Sequence, residues 1–336
     1  RMPDWYPYMV LAPQIWGASF KVTDGRAQAR AITTTMWPVA ARTARRIIKN
    51  HPSDLVVTVH PLAISWFLKA LGKKRPPFIT VVTDMVTTHA LWFDKRSDVI
   101  LVPTEMARQR AYQFGMPEEI VKVVGQPVAR KYCIPGGEKS ALREKLGWPK
   151  DKLVVLLVGG GEGMGPLGQT ARAISDSGLD VALIIVAGRN ERLKTSLEKT
   201  HWQIPTIIYG FTKDMPDFMR AADVLVTKAG PGTIAEALNA NLPIILFSKL
   251  PGQEDGNVTY TVEVGAGVWA PTPQRVVFAL RNWVKDPEER LKVVEACKQA
   301  ARPNSSIDIA KTIAEKLGII KENADAHPDS SAAGHI

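Results

Sequence analysis

Three glycine-rich loops in the second half of the sequence are the segments best suited to chemistry. They cover Gly159–Pro166, Thr227–Leu238 and Leu250–Val258, and each follows a short apolar run of strand length. Glycine lets backbone N–H groups approach a phosphate, and a helix that begins after such a loop adds its positive end. Because loops at the carboxyl ends of parallel strands meet at one edge of a sheet, we expect the three loops to line one cleft.

The first loop offers Gly160, Gly161, Glu162 and Gly163 as contacts for an anion, and Pro166 as the start of a helix. A nicotinamide-binding loop is the main alternative, since the glycines from position 163 onward fit G-x-G-x-x-G. That fit begins five residues beyond the strand, and the next strand is followed by Ala-Gly-Arg-Asn rather than an acid for a ribose. Alone, the loop is more typical of a tight connection.

The second loop places Lys228, Gly230, Gly232 and Thr233 where a strand ends and a helix begins. We expect Thr233 to supply an N-cap hydroxyl and the first-turn N–H groups to face an anion. Glu236 lies one turn further on, where it could accept hydrogen bonds from ribose hydroxyls. Taken alone, Glu236 is better explained as a first-turn acid that complements the helix dipole.

The third loop carries Gln253, Glu254 and Asn257 on a Pro-Gly turn. We expect an amide and a carboxylate there to face solvent or ligand, and both suit the hydroxyls of a sugar ring. An ordinary polar loop would have the same composition. The convergence of three such loops on one sheet edge favours a binding site over three separate turns.

Candidate acids and bases lie in the first half of the chain. His89 and Asp84 follow a predicted strand in a loop that faces the cleft, and structural and functional roles for His89 are about equally supported. His60 also follows a strand, but a structural role is favoured for it. The sequence has two cysteines, far apart, and no Asp-x-Asp motif. We therefore expect neither a metal nor a cofactor, and a reducing compartment.

Apolar runs of strand length alternate with helical patterns, which indicates an α/β fold with parallel sheets. The predicted strands are Leu55–Val59, Phe78–Val82, Val99–Val102, Leu153–Val158, Val181–Ala187, Thr206–Tyr209, Val224–Thr227 and Ile244–Phe247. The predicted helices are Val39–Asn50, Ile64–Leu71, Glu105–Gln113, Pro166–Ser177, Arg192–Lys199, Met215–Ala221 and Thr233–Asn239. We expect one domain over 1–148, a second over 149–305, a C-terminal helix over 306–320 and a disordered tail over 321–336.

Charge divides the chain unevenly. Residues 1–150 hold 23 Lys and Arg against 11 Asp and Glu, a net charge of +12, while residues 151–336 hold 20 against 22, a net charge of −2. Aromatic side chains beside basic ones suit the headgroup layer of an anionic membrane, which is a better candidate partner than nucleic acid because no nucleic-acid motif is present. The residues predicted to face membrane or acceptor are Trp16, Trp37, Arg42, Arg45, Arg46 and His60.

These loops resemble the donor-domain motifs of the monogalactosyldiacylglycerol synthase family, which is related to processive diacylglycerol glucosyltransferases and to MurG. The resemblance covers roughly residues 5–315 and extends to Val59-His-Pro61 and to Thr83–Trp92 in the first half. It implies a GT-B fold, in which two Rossmann-like domains face each other across a cleft. It also implies an inverting glycosyltransferase that uses a UDP-sugar donor.

The resemblance assigns roles to individual residues. Phe211 matches the position that caps the uracil, Gly188 and Asn190 match the turn beside the nucleotide, and Glu236 matches the ribose-binding acid. Gln253 and Glu254 match the pair that reads the sugar. The family's Gly-Gly-Gly-His loop, whose His is a candidate base, would lie before Arg1, so we expect the N-terminal domain to be incomplete in this chain.

The expected reaction is transfer of galactose or glucose from UDP-galactose or UDP-glucose to diacylglycerol, at the cytoplasmic face of a membrane that the protein binds peripherally. Two alternatives remain open. One is a UDP-sugar epimerase of the same fold, and the other is a UDP-binding remnant without catalysis. The sequence does not decide between galactose and glucose.

Overall fold

The computed structural model describes residues 13–134, 136–161, 163 and 165–320, and over these ranges the chain forms two α/β units, each built on a parallel sheet. The α/β fold class is therefore confirmed. The predictions for Glu162 and for a disordered tail over 321–336 fall outside the described residues.

The first unit has a four-stranded parallel sheet in the order β1-β2-β3-β4. Its strands are β1 (Val56–Thr58), β2 (Phe78–Val81), β3 (Val99–Val102) and β4 (Val121–Val123). Its helices are α1 (Pro13–Thr23), α2 (Arg26–Thr35), α3 (Trp37–Asn50), α4 (Pro61–Leu71) and α5 (Glu105–Gln113), with short 3-10 helices at Ala90–Trp92 and Glu118–Ile120. The sequence did not predict α1, α2 or β4.

The second unit has a six-stranded parallel sheet in the order β10-β9-β8-β5-β6-β7. Its strands are β5 (Leu153–Val158), β6 (Val181–Val186), β7 (Thr206–Tyr209), β8 (Val224–Lys228), β9 (Ile244–Ser248) and β10 (Gly267–Trp269). Its helices are α8 (Leu167–Ser175), α9 (Glu191–Glu198), α10 (Met215–Ala221), α11 (Pro231–Asn239), α12 (Asp255–Glu263), α13 (Pro273–Lys285) and α14 (Pro287–Ala300). The strand order reverses direction at β5 and β8, where open α/β sheets bind ligands.

The central strands of the second sheet are apolar on both faces because helices cover both faces. All six residues of β6 are buried, and so are five of the six in β5. One cluster, which includes Leu156 and Ile184, packs on one side of the sheet, and another, which includes Val155 and Leu183, packs on the other. A continuous Val, Leu and Ile run is the pattern expected for such strands, and it explains why the sequence located them well.

Over the residues that the structure describes, the chain passes between the units twice. The first crossing runs through α6 (Arg130–Cys133) and α7 (Lys139–Leu146). The second returns through α15 (Ser305–Lys316), where Ser305 and Ser306 donate hydrogen bonds of 2.8 Å each to the carbonyls of Gln126 and Val128. The predicted C-terminal helix is therefore present, and it packs on the first unit. None of the described helices has the length and apolar character needed to cross a membrane.

Candidate active site

The three glycine-rich loops follow β5, β8 and β9 at the carboxyl edge of the second sheet. The first two loops border a cavity of about 370 Å³ between α6 and the strand ends, whereas no residue of the third loop lines it. Six of the predicted donor-binding residues line this cavity, namely Gly160, Gly161, Gly188, Phe211, Thr233 and Glu236. Lys131, Tyr132, Thr212 and Lys213 also line it, and the sequence predicted none of these four.

Two glycine turns press against each other at the floor of the cavity. Gly160 and Gly188 have φ angles of +74° and +64°, in the left-handed region that favours glycine. A Cβ on Gly188 would collide with the carbonyl oxygen of Gly161 and lie 2.8 Å from that of Gly160. The amide of Arg189 donates to the Gly161 carbonyl over 2.8 Å, which fixes the two turns together. Side chains are excluded there, so backbone forms the wall against which a phosphate would rest.

Helix α11 points its N-terminus at the same region. The helix begins at Pro231, and its N-cap residue is Gly230, which makes no side-chain capping hydrogen bond. The prediction that Thr233 is the N-cap was therefore wrong, because proline fixes the helical φ at the first position and the helix starts two residues earlier. Thr233 instead lies inside the first turn and lines the cavity. An uncapped helix start leaves N–H groups for an anion.

Glu236 lies on α11 and lines the cavity. Burial raises its pKa to about 7 from an ordinary value of 4.5, and a hydrogen bond from the Tyr132 hydroxyl and the charge of Lys131 act against that rise. Because Glu236 lines the cavity, its carboxylate is available to a ligand there.

Phe211 lines the cavity, whereas Asn190 does not. The Phe211 ring is 56% exposed, and the Arg189 guanidinium lies over it, 4.5 Å from the ring centroid. An exposed ring at the rim of a cavity is suited to stack on a nucleobase. Asn190 accepts a hydrogen bond of 3.0 Å from the amide of Leu193, so its side chain caps α9.

Glu254 is not presented to solvent, which was one of the two environments expected for it. It is 5% exposed. Its Oε1 accepts a hydrogen bond of 2.6 Å from the Nζ of Lys228, and its Oε2 accepts one of 2.7 Å from the amide of Leu250. A buried carboxylate needs such partners. The bond from Lys228 links the third loop to the end of β8, and the bond from Leu250 lies within the loop. Its predicted contact with the sugar stays a prediction.

Asn257 and Gly232 complete the predicted set. Asn257 is buried, and its Nδ2 donates to the carbonyl of Ala229 over 2.8 Å. This bond links α12 to the loop between β8 and α11. Gly232 lies in the first turn of α11, where a Cβ would meet open space. Neither residue lines the cavity.

Gln253 joins the two units. Its Nε2 donates a hydrogen bond of 3.0 Å to the Oδ1 of Asp84, whose Oδ2 accepts one of 2.7 Å from the Nε1 of Trp92. Burial raises the pKa of Asp84 above its ordinary value, and these two hydrogen bonds oppose the shift. The hydrogen-bond partners of the Asp84 carboxylate are therefore Trp92 and Gln253, and His89 is not among them.

His89 is buried, and both of its ring nitrogens are engaged. Its Nδ1 accepts a hydrogen bond of 3.1 Å from the amide of Leu91, and its Nε2 lies 3.1 Å from the hydroxyl of Thr23. Burial lowers its pKa, against the charges of Asp24 and Asp84. Because Nδ1 is an acceptor, the neutral ring carries its proton on Nε2. In this state His89 caps the 3-10 helix, and its role as a base stays a prediction.

The residues predicted to meet membrane or acceptor lie on the first unit. On α3, Arg42, Arg45 and Arg46 are exposed, and Arg45 lies 5.7 Å from the centroid of the Trp37 ring. His60 is exposed and caps α4 by accepting a hydrogen bond of 3.3 Å from the amide of Leu62. Trp16 is half-buried on α1.

Helix α1 also packs on the third loop, which the sequence did not predict. Gly17 lies so close to Pro251 that a Cβ on it would be 2.8 Å from the Pro251 Cβ, and the Phe20 ring lies against Gly252. No local pattern in α1 signals this contact, because its partner is on the other unit.

A larger cavity of about 640 Å³ lies within the first unit, between α2, α4 and the 3-10 helix at Ala90–Trp92. None of the predicted site residues is among those that line it. The smaller cavity is the better candidate, because it is the one bordered by glycine turns and a helix N-terminus. No group of three or more His, Cys, Asp or Glu side chains among the described residues could hold a metal.

Comparison with known sequences locates two families on the chain. Residues 1–128 match the family described as monogalactosyldiacylglycerol (MGDG) synthase, and residues 154–312 match the glycosyltransferase family 28 C-terminal domain. Probable monogalactosyldiacylglycerol synthase 2, chloroplastic, of Oryza sativa subsp. japonica is 35% identical over 92% of this chain and 68% of its own length. Monogalactosyldiacylglycerol synthase 2, chloroplastic, of Arabidopsis thaliana is 34% identical over 92% of this chain and 69% of its own length.

Solved structures support the fold. The UDP complex of S. aureus MnaA superposes with a TM-score of 0.65 at 19% identity, covering 87% of this chain and 83% of that one. MurG of Acinetobacter baumannii superposes with a TM-score of 0.61 at 17% identity, covering 82% and 79%. The GT-B arrangement is confirmed. This chain spans about two thirds of the length of its rice and Arabidopsis relatives, and it belongs to the monogalactosyldiacylglycerol synthase family of glycosyltransferases.

Proposed function

We propose that this chain transfers galactose or glucose from UDP-galactose or UDP-glucose to diacylglycerol, with inversion, at the surface of a membrane. The observation that carries the proposal is the cavity in which two glycine turns, the uncapped start of α11 and the Glu236 carboxylate lie together. These are the groups that a uridine diphosphate requires: backbone donors for phosphate and an acceptor for ribose hydroxyls.

The proposed reaction is a single displacement. The acceptor oxygen bonds to the anomeric carbon while the bond from that carbon to the β-phosphate oxygen breaks, and UDP leaves with the electron pair. The start of α11 and the amides around Gly160 and Gly161 stabilise the charge that develops on the diphosphate. The proton of the acceptor hydroxyl passes to a base. Asp84 is our candidate for this base, because its carboxylate accepts a hydrogen bond from Gln253 on the third loop and burial raises its pKa above the ordinary value.

A UDP-sugar epimerase is the alternative within this fold. A putative UDP-N-acetylglucosamine 2-epimerase from Listeria monocytogenes superposes with a TM-score of 0.63, but at 16% identity such a likeness supports the fold alone. Identities of 34% and 35% to synthases over most of the chain favour transfer. Turnover of a UDP-sugar without lipid would instead support the epimerase. Binding of UDP by calorimetry without turnover of either kind would support a catalytically inactive remnant.

Replacing Gln253 with alanine tests the sugar-reading loop. We expect the KM for the UDP-sugar to rise about tenfold, the effect of losing one or two hydrogen bonds, and kcat to fall because the link to Asp84 is lost. Initial rates with UDP-galactose, UDP-glucose and dispersed diacylglycerol measure both constants and identify the preferred sugar. Gln203→Ala, exposed at the opposite edge of the same sheet, is the matched control. Unchanged constants in Gln253→Ala would contradict the assignment.

We further propose that α3 docks on anionic lipid. Ala41 and Ala44 face the interior, which leaves Arg42, Arg45 and Arg46 exposed together. Each basic residue near an anionic surface contributes about 1 kcal/mol, so reversing all three charges should weaken binding by at least about 100-fold.

Sedimentation with phosphatidylcholine vesicles that contain increasing phosphatidylglycerol measures this docking. Binding by the unaltered chain should rise with the anionic fraction and fall with salt. The control variant replaces three exposed lysines of the second unit with glutamate, namely Lys285, Lys292 and Lys298. It changes the net charge by the same amount, but away from α3, and should bind vesicles nearly as well as the unaltered chain. If both triple variants lose vesicle binding equally, the effect depends only on net charge, and docking through α3 is refuted.

A further inference from the structure

The connection between the two units contributes a side chain to the nucleotide cavity. Tyr132 lies on α6, outside both sheets, and lines the cavity together with Gly188, Phe211 and Thr233. Its hydroxyl donates a hydrogen bond to the carboxylate of Glu236 on α11. Burial and this carboxylate together raise the pKa of Tyr132, so its hydroxyl keeps its proton and acts as the donor in this pair.

Helix α6 is fixed to the second unit at this point. The guanidinium of Arg220 on α10 donates hydrogen bonds to the carbonyls of Lys131 and Ile134, the latter over 3.0 Å. Asp217 holds the same guanidinium at 3.2 Å. A Cβ on Gly136 would collide with the Arg220 side chain, so glycine there leaves the room that this clamp needs. The Tyr132 ring therefore has a defined position relative to Glu236 rather than that of a loose linker.

A carboxylate has about four acceptor positions on its two oxygens, and one hydroxyl occupies a single position. The remaining positions of Glu236 face a cavity with room for a ribose. We propose that Tyr132 is a positioning residue for the donor, whose hydroxyl orients the Glu236 carboxylate so that its free acceptor positions meet the two ribose hydroxyls. This rests on the function proposed above and extends it to a residue on the connection between the units.

The proposal predicts a dependence on pH that a merely structural tyrosine would not produce. The ionisable groups that share the cavity with Glu236 are Lys131 and Tyr132 on α6 and Lys213 on the loop after β7. The hydrogen bond from Tyr132 lowers the pKa of Glu236 and so favours its ionised form. Without that bond Glu236 protonates at a higher pH, and ribose loses its acceptor there.

The test is Tyr132→Phe, which removes the hydroxyl and keeps the ring. Calorimetric titration with UDP should give a Kd about 3- to 10-fold higher near neutral pH, the effect of one hydrogen bond. The difference should shrink as the pH rises and Glu236 ionises in both proteins. With a UDP-sugar and diacylglycerol, KM for the donor should rise while kcat stays nearly unchanged. Tyr112→Phe, half-buried on α5 of the first unit, is the matched control and should behave as the unaltered chain does.

The outcomes separate this proposal from the function on which it rests. If the unaltered chain binds no UDP, the proposed function fails. If it binds UDP and Tyr132→Phe shows the same Kd at every pH, the positioning role is refuted. A loss of folding in Tyr132→Phe by circular dichroism, with Tyr112→Phe folded, would also overturn it, because Tyr132 would then serve the fold rather than the donor.

Discussion

Glu236→Ala is expected to raise the KM for the UDP-sugar by about 10- to 100-fold with a much smaller change in kcat. Hydrogen bonds to a charged group contribute about 1.5–3 kcal/mol, and each 1.4 kcal/mol corresponds to tenfold in affinity. Ribose is remote from the bond that breaks, so its contacts act on the ground state and the transition state alike. Steady-state kinetics measure both constants. Glu263→Ala, exposed on α12, should leave both unchanged.

The pH profile gives this prediction a second readout. The pKa of Glu236 is raised to about 7, so the carboxylate loses its charge as the pH falls through that value. Affinity for UDP should therefore fall more steeply between pH 8 and pH 6 in the unaltered chain than in Glu236→Gln, where the terminal phosphate of UDP still titrates. A fall of equal size in Glu236→Gln would show that another group titrates, and would remove Glu236 from the donor site.

The same shift has a consequence for stability. A carboxyl whose folded pKa lies above its unfolded value binds its proton more tightly in the folded state, so stability is lost as the pH rises from about 4.5 through about 7. Glu236→Gln abolishes this loss. We expect the free energy of unfolding of Glu236→Gln to exceed that of the unaltered chain by about 2 kcal/mol at pH 8 and to equal it at pH 4. The value at pH 8 is the free energy that corresponds to the pKa shift of Glu236, reduced because the side chain is partly exposed. Thermal unfolding of both proteins at the two pH values would test this. The expected result would mean that Glu236 lowers the stability of the fold at neutral pH while serving the binding site.

The central strands of the second sheet were the easiest to predict. β5, β6 and β8 are buried on both faces, and their hydrophobic runs mark them directly. β4 and β10 were missed, and each has three residues at the edge of its sheet, where a short segment carries little pattern. β1 is as short, but the apolar run Leu55–Val59 extends beyond it on both sides. The stability of a helix depends on its packing as well as on the local preference of its residues. Helix α1 contains an internal glycine, so its sequence alone did not predict a helix.

The site divides along similar lines. The glycine turns were predictable because a glycine in the sequence directly indicates a position that has no side chain. The burial of Glu254 was not, because its partner Lys228 lies 26 residues away and only the fold brings them together. Tyr132 and Gly17 were missed for the same reason, since their partners Glu236 and Pro251 belong to the other half of the chain. The chemical character of each loop could be inferred from the sequence, but the contacts between residues distant in sequence could not.

Gly188→Ala is expected to abolish donor binding at concentrations that saturate the unaltered chain. Gly188 has φ of +64°, and a Cβ there would collide with the Gly161 carbonyl and press on that of Gly160. Relief requires the two turns to separate, which moves the backbone wall against which the diphosphate is proposed to rest. We expect the Kd for UDP to rise on the order of 100-fold and the free energy of unfolding to fall by about 2 kcal/mol.

Gly178→Ala provides a close control for this change. Gly178 lies in the same unit between α8 and β6, has φ of +70°, and a Cβ on it would meet nothing within 4 Å. It carries the conformational cost of a side chain at positive φ, about 1 kcal/mol, without the collision. Calorimetry with UDP and thermal unfolding on both variants separate the two effects. If Gly188→Ala loses stability as Gly178→Ala does but binds UDP normally, the contact of the two glycine turns serves the fold, and the phosphate site must lie elsewhere along the cleft.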